Sequence, residues 1–241
     1  MTWQEIHRFD QNLTLEINSW YSDYTDPFWE FMSDIPVWIP LYVLIVAFVI
    51  WRLGWKRGAI VVAAALLTFG FCDQFSNFVK DAVERLRPLK DEYMIANGLH
   101  ILENGGKYGF FSAHSANAFG LATCTLLGLK LDGRLKYRGY AAFMYTWAFL
   151  VATSRIFVGK HYLGDVIVGT IAVIVPTPNG AGPWHFAVKT MLILYGVAET
   201  DALYFVLIVH TLQTLLVVLL GIYAAVALSM RERRAAMTQQ T

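Results

Sequence analysis

The chain has little charge and almost no cysteine, and both shortages narrow what it can be. Of its 241 residues, 15% are charged and 56% are hydrophobic, and the mean hydropathy is +0.46. Soluble domains carry roughly 25% charged residues, so a soluble domain is disfavoured. The net charge of +1 gives no reason to expect nucleic acid as a partner. Both cysteines, Cys72 and Cys124, lie inside apolar runs, which predicts buried free thiols.

Residues 1–11 also lack the apolar run of a secretory signal peptide, so internal segments must drive membrane insertion. A membrane-spanning helix needs roughly 20 mostly apolar residues. Seven segments are candidates: Ile35–Leu53, Gly58–Val79, Ser112–Leu131, Gly139–Ser154, Tyr162–Val175, Phe186–Val197 and Ala202–Met230. Residues Asn12–Met32 instead predict an amphipathic helix in the membrane interface. The expected fold is therefore all-α, a polytopic membrane helix bundle with an N-terminal interfacial helix and about six to seven membrane segments.

Basic residues give an orientation for these segments, because cytoplasmic loops are enriched in Lys and Arg. One group, Arg52, Lys56 and Arg57, lies between the first two segments, and another surrounds residues 130–138. If both loops are cytoplasmic, residues 80–111 and 154–162 face the other side. That side also carries many cations, which calls for a second explanation.

Three clusters of polar residues lie where segments meet this outer face. In the first, Lys80 and Arg87 are seven residues apart, two turns on one helix face, and Pro88 ends the helix. In the second, Ser112 and Ala113 precede His114 and suggest a helix N-terminus that can bind an anion. In the third, which begins with Ser154 and Arg155, His161 and Asp165 are four residues apart. A carboxylate at that spacing can fix the tautomer of the imidazole. The residues are Lys80, Arg87, Ser112, Ala113, His114, Arg155, His161 and Asp165.

Taken alone, each cluster has an ordinary structural explanation: cations at a membrane edge, a capping serine, or a satisfied His–Asp contact. Together they supply cations for phosphoryl oxygens, a nucleophile and a proton donor, which is what phosphoryl transfer needs. Other phosphatase chemistries fit poorly, since no Cys-x5-Arg or Asp-x-Asp sequence is present. Asp73, Gln74 and Asn77 are predicted to pack below the site or contact substrate, and His100 to lie at the surface.

The pattern Lys-x6-Arg-Pro, Ser-x-His and Ser-Arg-x5-His-x3-Asp resembles the signature of the type 2 phosphatidic acid phosphatase superfamily, over about residues 10–175. The resemblance implies a metal-independent membrane lipid phosphatase without a cofactor. It makes His161 the nucleophile, Asp165 its orienting partner and His114 the proton donor. Phosphate binding would fall to Lys80, Arg87, Arg155, Ser112 and Ala113. Phe111 and Ala113 replace the family's usual Pro and Gly, and Ala113 makes a left-handed backbone there costly.

The chain departs from this pattern after Val175. Residues of about 176–230 resemble the C-terminal end of the lysylphosphatidylglycerol synthase transmembrane and flippase-like family, through a Gly-rich Pro-Trp-His loop and a Tyr-Gly-Val helix end. We therefore expect two domains, 1–175 of phosphatase type and 176–241 as a C-terminal membrane hairpin.

The expected activity is hydrolysis of a lipid phosphate or diphosphate through a phosphohistidine, at the periplasmic face of a bacterial inner membrane. Undecaprenyl diphosphate, lipid A and phosphatidylglycerophosphate are the candidate substrates, with the lipid bilayer as surroundings. Two alternatives stay open: a lipid phosphotransferase, and a lipid-handling or flippase-like protein with a secondary phosphatase site. The sequence leaves the oligomeric state open.

Overall fold

The computed structural model describes residues 3–133, 136–174, 189, 192–193 and 196–209. The chain divides into two compact units, Met1–Val175 and Pro176–Thr241. The described part of the first unit is helical. Its α-helices are α1 Trp3–Asn18, α2 Asp26–Ser33, α3 Ile39–Val83, α4 Glu92–Ala96, α5 Ala113–Lys130, α6 Arg138–Phe157 and α7 Leu163–Ile174, with short 3-10 turns at Pro36–Trp38 and Pro88–Lys90. An all-α fold is what the sequence predicts.

The N-terminal region forms two helices, so the prediction of one helix over Asn12–Met32 is wrong. Helix α1 begins nine residues earlier than predicted and ends at Asn18. A turn follows, in which the Thr25 backbone N–H donates to the Ser22 carbonyl (2.8 Å) and the Ser22 N–H donates to Thr25 Oγ1 (3.0 Å). Pro27 lies in the first turn of α2, where its missing N–H costs nothing. Local side-chain hydrogen bonding thus competes with the helix and ends it.

Helix α3 is broken at Gly54, whose φ of 75° and ψ of 162° are not helical. A Cβ added at Gly58 would lie only 2.7 Å from the Cα of Ile50. Eight residues of straight helix would separate these positions by about 12 Å. The chain therefore reverses direction, and α3 consists of two packed arms, residues 39–53 and 55–83. These arms correspond to the first two predicted segments.

Helix α5 is the centre of the bundle and packs against α3, α6 and α7. Glycines allow its close approach to the second arm of α3: Gly120 faces Thr68, and Gly128 faces Val61. Ala122 of α5 and Met144 of α6 are fully buried between these helices. The bounds of α5, α6 and α7 agree with the predicted segments to within three residues.

The end of the bundle near Gly54 is closed by an ion pair. Arg52 Nη2 lies 2.8 Å from Asp132 Oδ2, and Arg52 Nε donates to the Tyr137 hydroxyl at 3.0 Å. The three motifs lie at the other end of α3, α5 and α6. Cys72 is buried and Cys124 half-buried, and both are free thiols as predicted.

In the described part of the chain, the stretch Pro36–Val83, which contains both arms of α3, is the one candidate for crossing a membrane by length and composition. Most of the predicted segments Phe186–Val197 and Ala202–Met230 lies outside the described residues. In the second unit, residues 199–209 are helical and Lys189 Nζ lies 2.8 Å from Glu199 Oε1. The count of six to seven segments and the predicted character of residues 176–241 therefore stay predictions.

Close packing at Gly128 generates a stability prediction. A Cβ there would lie 2.4 Å from Val61 Cγ1, so Gly128→Ala should destabilise the protein by about 1–3 kcal/mol. Gly70→Ala is the matched control, since a Cβ at Gly70 meets nothing within 4 Å and improves helix propensity. Thermal unfolding of both variants in detergent measures the difference. Equal melting temperatures would show that α3 and α5 leave room for a Cβ at residue 128.

Candidate active site

His161 stands at the centre of the three motifs, in the loop between α6 and α7. Its Nδ1 lies 3.3 Å from Asp165 Oδ2, and its Nε2 lies 3.3 Å from Arg87 Nη1. The imidazole is 2% exposed and the Asp165 side chain is completely buried. This arrangement puts the proton on Nδ1, facing the carboxylate, and leaves the Nε2 lone pair toward the guanidinium.

His161 is held in its neutral form by its surroundings. Burial, and then the positive charges of Arg87, Arg155, Lys80 and Lys160, keep the pKa of His161 well below its ordinary value of 6.5. Cations from the first and third motifs are thus near enough to act on one imidazole. A neutral imidazole with a free Nε2 among cations can attack an anionic phosphorus centre.

Arg87 reaches His161 from an extended segment, so the prediction that Lys80 and Arg87 project from one helix face is wrong. Helix α3 ends at Val83, because Glu84 adopts a left-handed conformation (φ 51°). Leu86 then forms an antiparallel bridge with Tyr108, and the Arg87 N–H donates to the Lys107 carbonyl at 3.0 Å. Arg87 Nε also donates to the Tyr108 carbonyl (3.0 Å). These bonds orient the guanidinium toward His161.

Lys80 lies in the last turn of α3, and its Nζ donates to Asn77 Oδ1 at 3.3 Å. Asn77 thus holds the lysine of the first motif, which agrees with a packing role below the site. The structure gives no comparable contact for Asp73 or Gln74 among the described residues.

The second motif forms the start of α5. Ser112 is its N-cap, and Ser112 Oγ accepts from the Ser115 N–H at 3.4 Å. The Ser112 N–H donates to the Asp165 carbonyl at 3.0 Å, which ties α5 to α7. The N–H groups of Ala113 and His114 belong to the first turn, where a helix leaves donors for an anion. The helix N-terminus that the sequence predicts as an anion site is therefore present. The Ser112 N–H cannot contribute to it, because this group donates to the Asp165 carbonyl.

Arg155 lies in the last turn of α6, and its contacts were not predicted. Its Nη1 donates to the Ser33 carbonyl at 3.3 Å and to Ser33 Oγ, and lies 3.9 Å from Glu103 Oε2. Lys160, directly before the nucleophile candidate, also pairs with Glu103. Burial opposes ionisation of Glu103, but hydrogen bonds from Lys160 and Ser33 hold its pKa below the ordinary value. Glu103 is therefore an anion beside two cations of the site.

Two cavities meet at His114. One, of about 490 Å³, is polar and is lined by His114, Glu103, Arg155 and Lys160 among others. The other, of about 270 Å³, lies between the two arms of α3, α5 and α6, and its walls are mostly apolar. His114 and Ser33 line both cavities. The site is thus shaped for an amphiphile whose polar and apolar parts separate near His114.

Helix α1 supplies further residues that sequence reasoning missed. Asp10 Oδ1 accepts from the Gly164 N–H (2.9 Å), and Thr14 Oγ1 accepts from the Leu163 N–H (3.0 Å). Asn18 Nδ2 donates to the carbonyls of Ile156 and Phe157 at the end of α6. These side chains recur every four residues and share one helix face. That spacing is the signal in the sequence that could have identified these residues, because three polar side chains on one helix face indicate packing against a polar surface.

His100 is more firmly held than a surface histidine. Its Nε2 lies 2.8 Å from Asp26 Oδ2, and its ring stacks on Tyr21 at 3.7 Å. It fastens the turn between α1 and α2 rather than joining the site. No group of three or more His, Cys, Asp or Glu side chains is placed for a metal ion within the described ranges.

Comparisons with known proteins identify the family. The PAP2 superfamily profile matches residues 41–176. The chain is 34% identical over 180 residues to the lipid A 4'-phosphatase of Bacteroides thetaiotaomicron, covering 73% of this chain and 75% of that one. It is 30% identical over 194 residues to the lipid A 4'-phosphatase of Porphyromonas gingivalis, covering 78% and 75%. The chain therefore belongs to the PAP2 superfamily and is a membrane phosphatase, as its sequence motifs predict.

The fold agrees with a solved member of the same family. The crystal structure of a transmembrane PAP2 type phosphatidylglycerolphosphate phosphatase from Bacillus subtilis superposes with a TM-score of 0.53 at 21% identity. The match covers 69% of this chain and 79% of that one. At this identity the similarity concerns the fold.

The contact between α7 and the start of α5 generates a prediction. A Cβ at Gly169 would lie 2.5 Å from the Ser112 carbonyl oxygen, which is backbone and cannot rotate away. Gly169→Ala should therefore displace the second motif and lower phosphatase activity by about 100-fold. Gly106→Ala, where a Cβ meets nothing within 4 Å, is the control and should keep wild-type activity. Full activity in Gly169→Ala would mean that the α5 terminus does not need this register.

Proposed function

We propose that this protein hydrolyses a lipid phosphate ester through a phosphohistidine on His161. The observation that carries the proposal is the buried imidazole fixed between Asp165 on Nδ1 and Arg87 on Nε2. One ring nitrogen is tied to a carboxylate, and the other is directed into a cationic site.

In the first step, His161 Nε2 attacks the phosphorus atom and the bond from phosphorus to the lipid oxygen breaks. Arg87, Arg155 and Lys80 balance the charge on the three equatorial oxygens. The departing lipid oxygen takes a proton from the imidazolium form of His114, which lies where the two cavities meet, and His114 is left neutral. The ring of phosphorylated His161 keeps its Nδ1 proton and becomes cationic, a form that Asp165 stabilises.

In the second step, a water molecule attacks the same phosphorus atom. His114, now neutral, takes the proton from this water, and the N–P bond breaks. The electron pair returns to His161 Nε2, and inorganic phosphate leaves. Each group ends in its starting state.

We propose lipid A phosphate as the first substrate to test, ahead of undecaprenyl diphosphate and phosphatidylglycerophosphate. Two relatives, at 34% and 30% identity and each matched over about three quarters of both chains, are named lipid A 4'-phosphatases. The polar cavity of about 490 Å³ beside His114 offers room for a large headgroup. We further propose that the site lies at the periplasmic face of the inner membrane. The basic loop around Arg52 is expected to be cytoplasmic, and the motifs lie at the other end of the bundle.

Trapping the intermediate tests the proposed chemistry. Purified protein is mixed with 32P-labelled lipid A, undecaprenyl diphosphate or phosphatidylglycerophosphate in detergent with EDTA, and then quenched. We expect phosphate release with EDTA present and an acid-labile, alkali-stable label on the protein. His161→Asn should lose both label and at least about 10³-fold of activity.

His100→Asn is the matched control. His100 lies outside the site, so this variant should be labelled as strongly as the wild-type protein. Release without label, or a labelled His161→Asn protein, would overturn the phosphohistidine. Transfer of label to an added alcohol in place of water would identify a phosphotransferase instead. The lipid from which phosphate is released fastest identifies the preferred headgroup.

The apolar cavity generates a separate prediction about the lipid. Ala65 lines this cavity, whereas its neighbour Ala64 is exposed and does not line it. Ala65→Trp should fill the space and raise KM for a long-chain lipid phosphate by about tenfold or more. Hydrolysis of a water-soluble phosphate ester should stay unchanged, and so should both activities of Ala64→Trp. Equal effects on both substrates would mean that the cavity does not hold the lipid chain.

A further inference from the structure

Arg85 occupies one of the six unspecified positions of the first motif, between Lys80 and Arg87, and forms two ion pairs beside the site. Its Nη1 lies 2.6 Å from Asp165 Oδ1, and its Nη2 lies 2.7 Å from Asp10 Oδ2. The guanidinium also stacks over the Tyr162 ring, 3.8 Å from the centroid. Its side chain is 4% exposed. One buried guanidinium therefore joins the carboxylate that holds His161 to helix α1.

Both oxygens of Asp165 are used in this arrangement. Oδ1 accepts from Arg85, and Oδ2 accepts from His161 Nδ1 and from the Tyr162 N–H at 3.2 Å. The carboxylate cannot rotate without losing one of these partners. Asp10 in turn is fixed, because its second oxygen accepts from the Gly164 N–H.

We propose that Arg85 is a positioning residue for His161, which acts by clamping Asp165 between the nucleophile and Asp10 of α1. The proposal rests on the proposed function, since it assigns a role relative to the His161 nucleophile. It makes α1 part of the catalytic unit, although no family motif lies in that helix.

The clamp has two separable effects. The fork of the guanidinium fixes the geometry of Asp165, which a lysine cannot reproduce with its single point charge. The positive charge offsets Asp165 and so limits how strongly the His161–Asp165 pair binds a proton, and the two residues titrate as a pair. The other titratable or charged groups around the pair are His7, Asp10, Lys80, Arg87, Asp91, His114, Arg155, Lys160 and Tyr162.

The experiment compares Arg85→Gln, Arg85→Lys and Asp10→Asn in full-length protein, using the dependence of kcat and kcat/KM on pH. Arg85→Gln should lower kcat by about 100-fold with little change in KM. It should also move the acid limb of kcat/KM upward by about 1 pH unit, because a cation is lost beside the pair. Arg85→Lys should lower kcat less and leave the acid limb in place. Asp10→Asn removes an anion, so its acid limb should move downward.

Arg52→Gln is the matched control, because Arg52 forms a similar Arg–Asp pair at the opposite end of the bundle. It should keep the wild-type kcat and pH profile. Melting temperatures of all variants report folding. If Arg85→Gln does not fold, the opposite-direction shift in Asp10→Asn still tests the clamp.

Unmoved acid limbs in Arg85→Gln and Asp10→Asn, or a kcat of Arg85→Gln within threefold of wild type, would overturn the proposal. Losses that only follow the folded fraction, without a change in pH profile, would likewise reduce Arg85 to a structural residue. Phosphohistidine trapping on wild-type protein separates this failure from that of the proposed function. Label on His161 with an unaffected Arg85→Gln enzyme overturns the clamp alone.

Discussion

A completely buried carboxylate is the constraint on which this site depends. An uncompensated charge at the position of Asp165 would cost several kcal/mol, so the fold must bring donors to both of its oxygens. Those donors come from the segment after α3, from the loop before α7 and from His161 itself. The Asp165 backbone carbonyl also accepts from Ser112. Elements that are distant in the chain are thus joined because one carboxylate needs them.

The position of that carboxylate explains why the motifs lie at element boundaries. Arg87 follows the end of α3, Ser112 caps α5, and His161 lies in the loop between α6 and α7. Helix ends expose backbone donors and acceptors that the helix cannot use. A phosphoryl group needs many donors in a small volume, and converging helix ends provide them at little conformational cost. The helices between these ends can then remain small-residue packing elements, as the glycines of α5 illustrate.

The sequence predicted well what depends on local pattern and composition. Apolar periodicity located α5, α6 and α7, and i,i+4 spacing predicted the contact between His161 and Asp165. Sequence reasoning failed where contacts between distant parts of the chain decide the local structure. The end of α3 at Val83 follows from a left-handed Glu84 and from pairing of Leu86 with Tyr108, which lies 22 residues away. The reversal of the chain near Gly54, by contrast, follows from the two apolar segments that the sequence predicts on either side of it.

Helix α1 shows most clearly why residue chemistry alone could not complete the site. Its polar residues occur on a helix that otherwise has the composition of an interfacial segment, and their partners lie 75 to 154 positions away in the chain. Such partners cannot be read from spacing, because the spacing encodes only which residues share a face. A polar stripe at four-residue intervals on an amphipathic helix is nevertheless costly to bury without acceptors or donors. In a chain with so few charged residues, a stripe of this kind indicates that the helix packs on a polar centre.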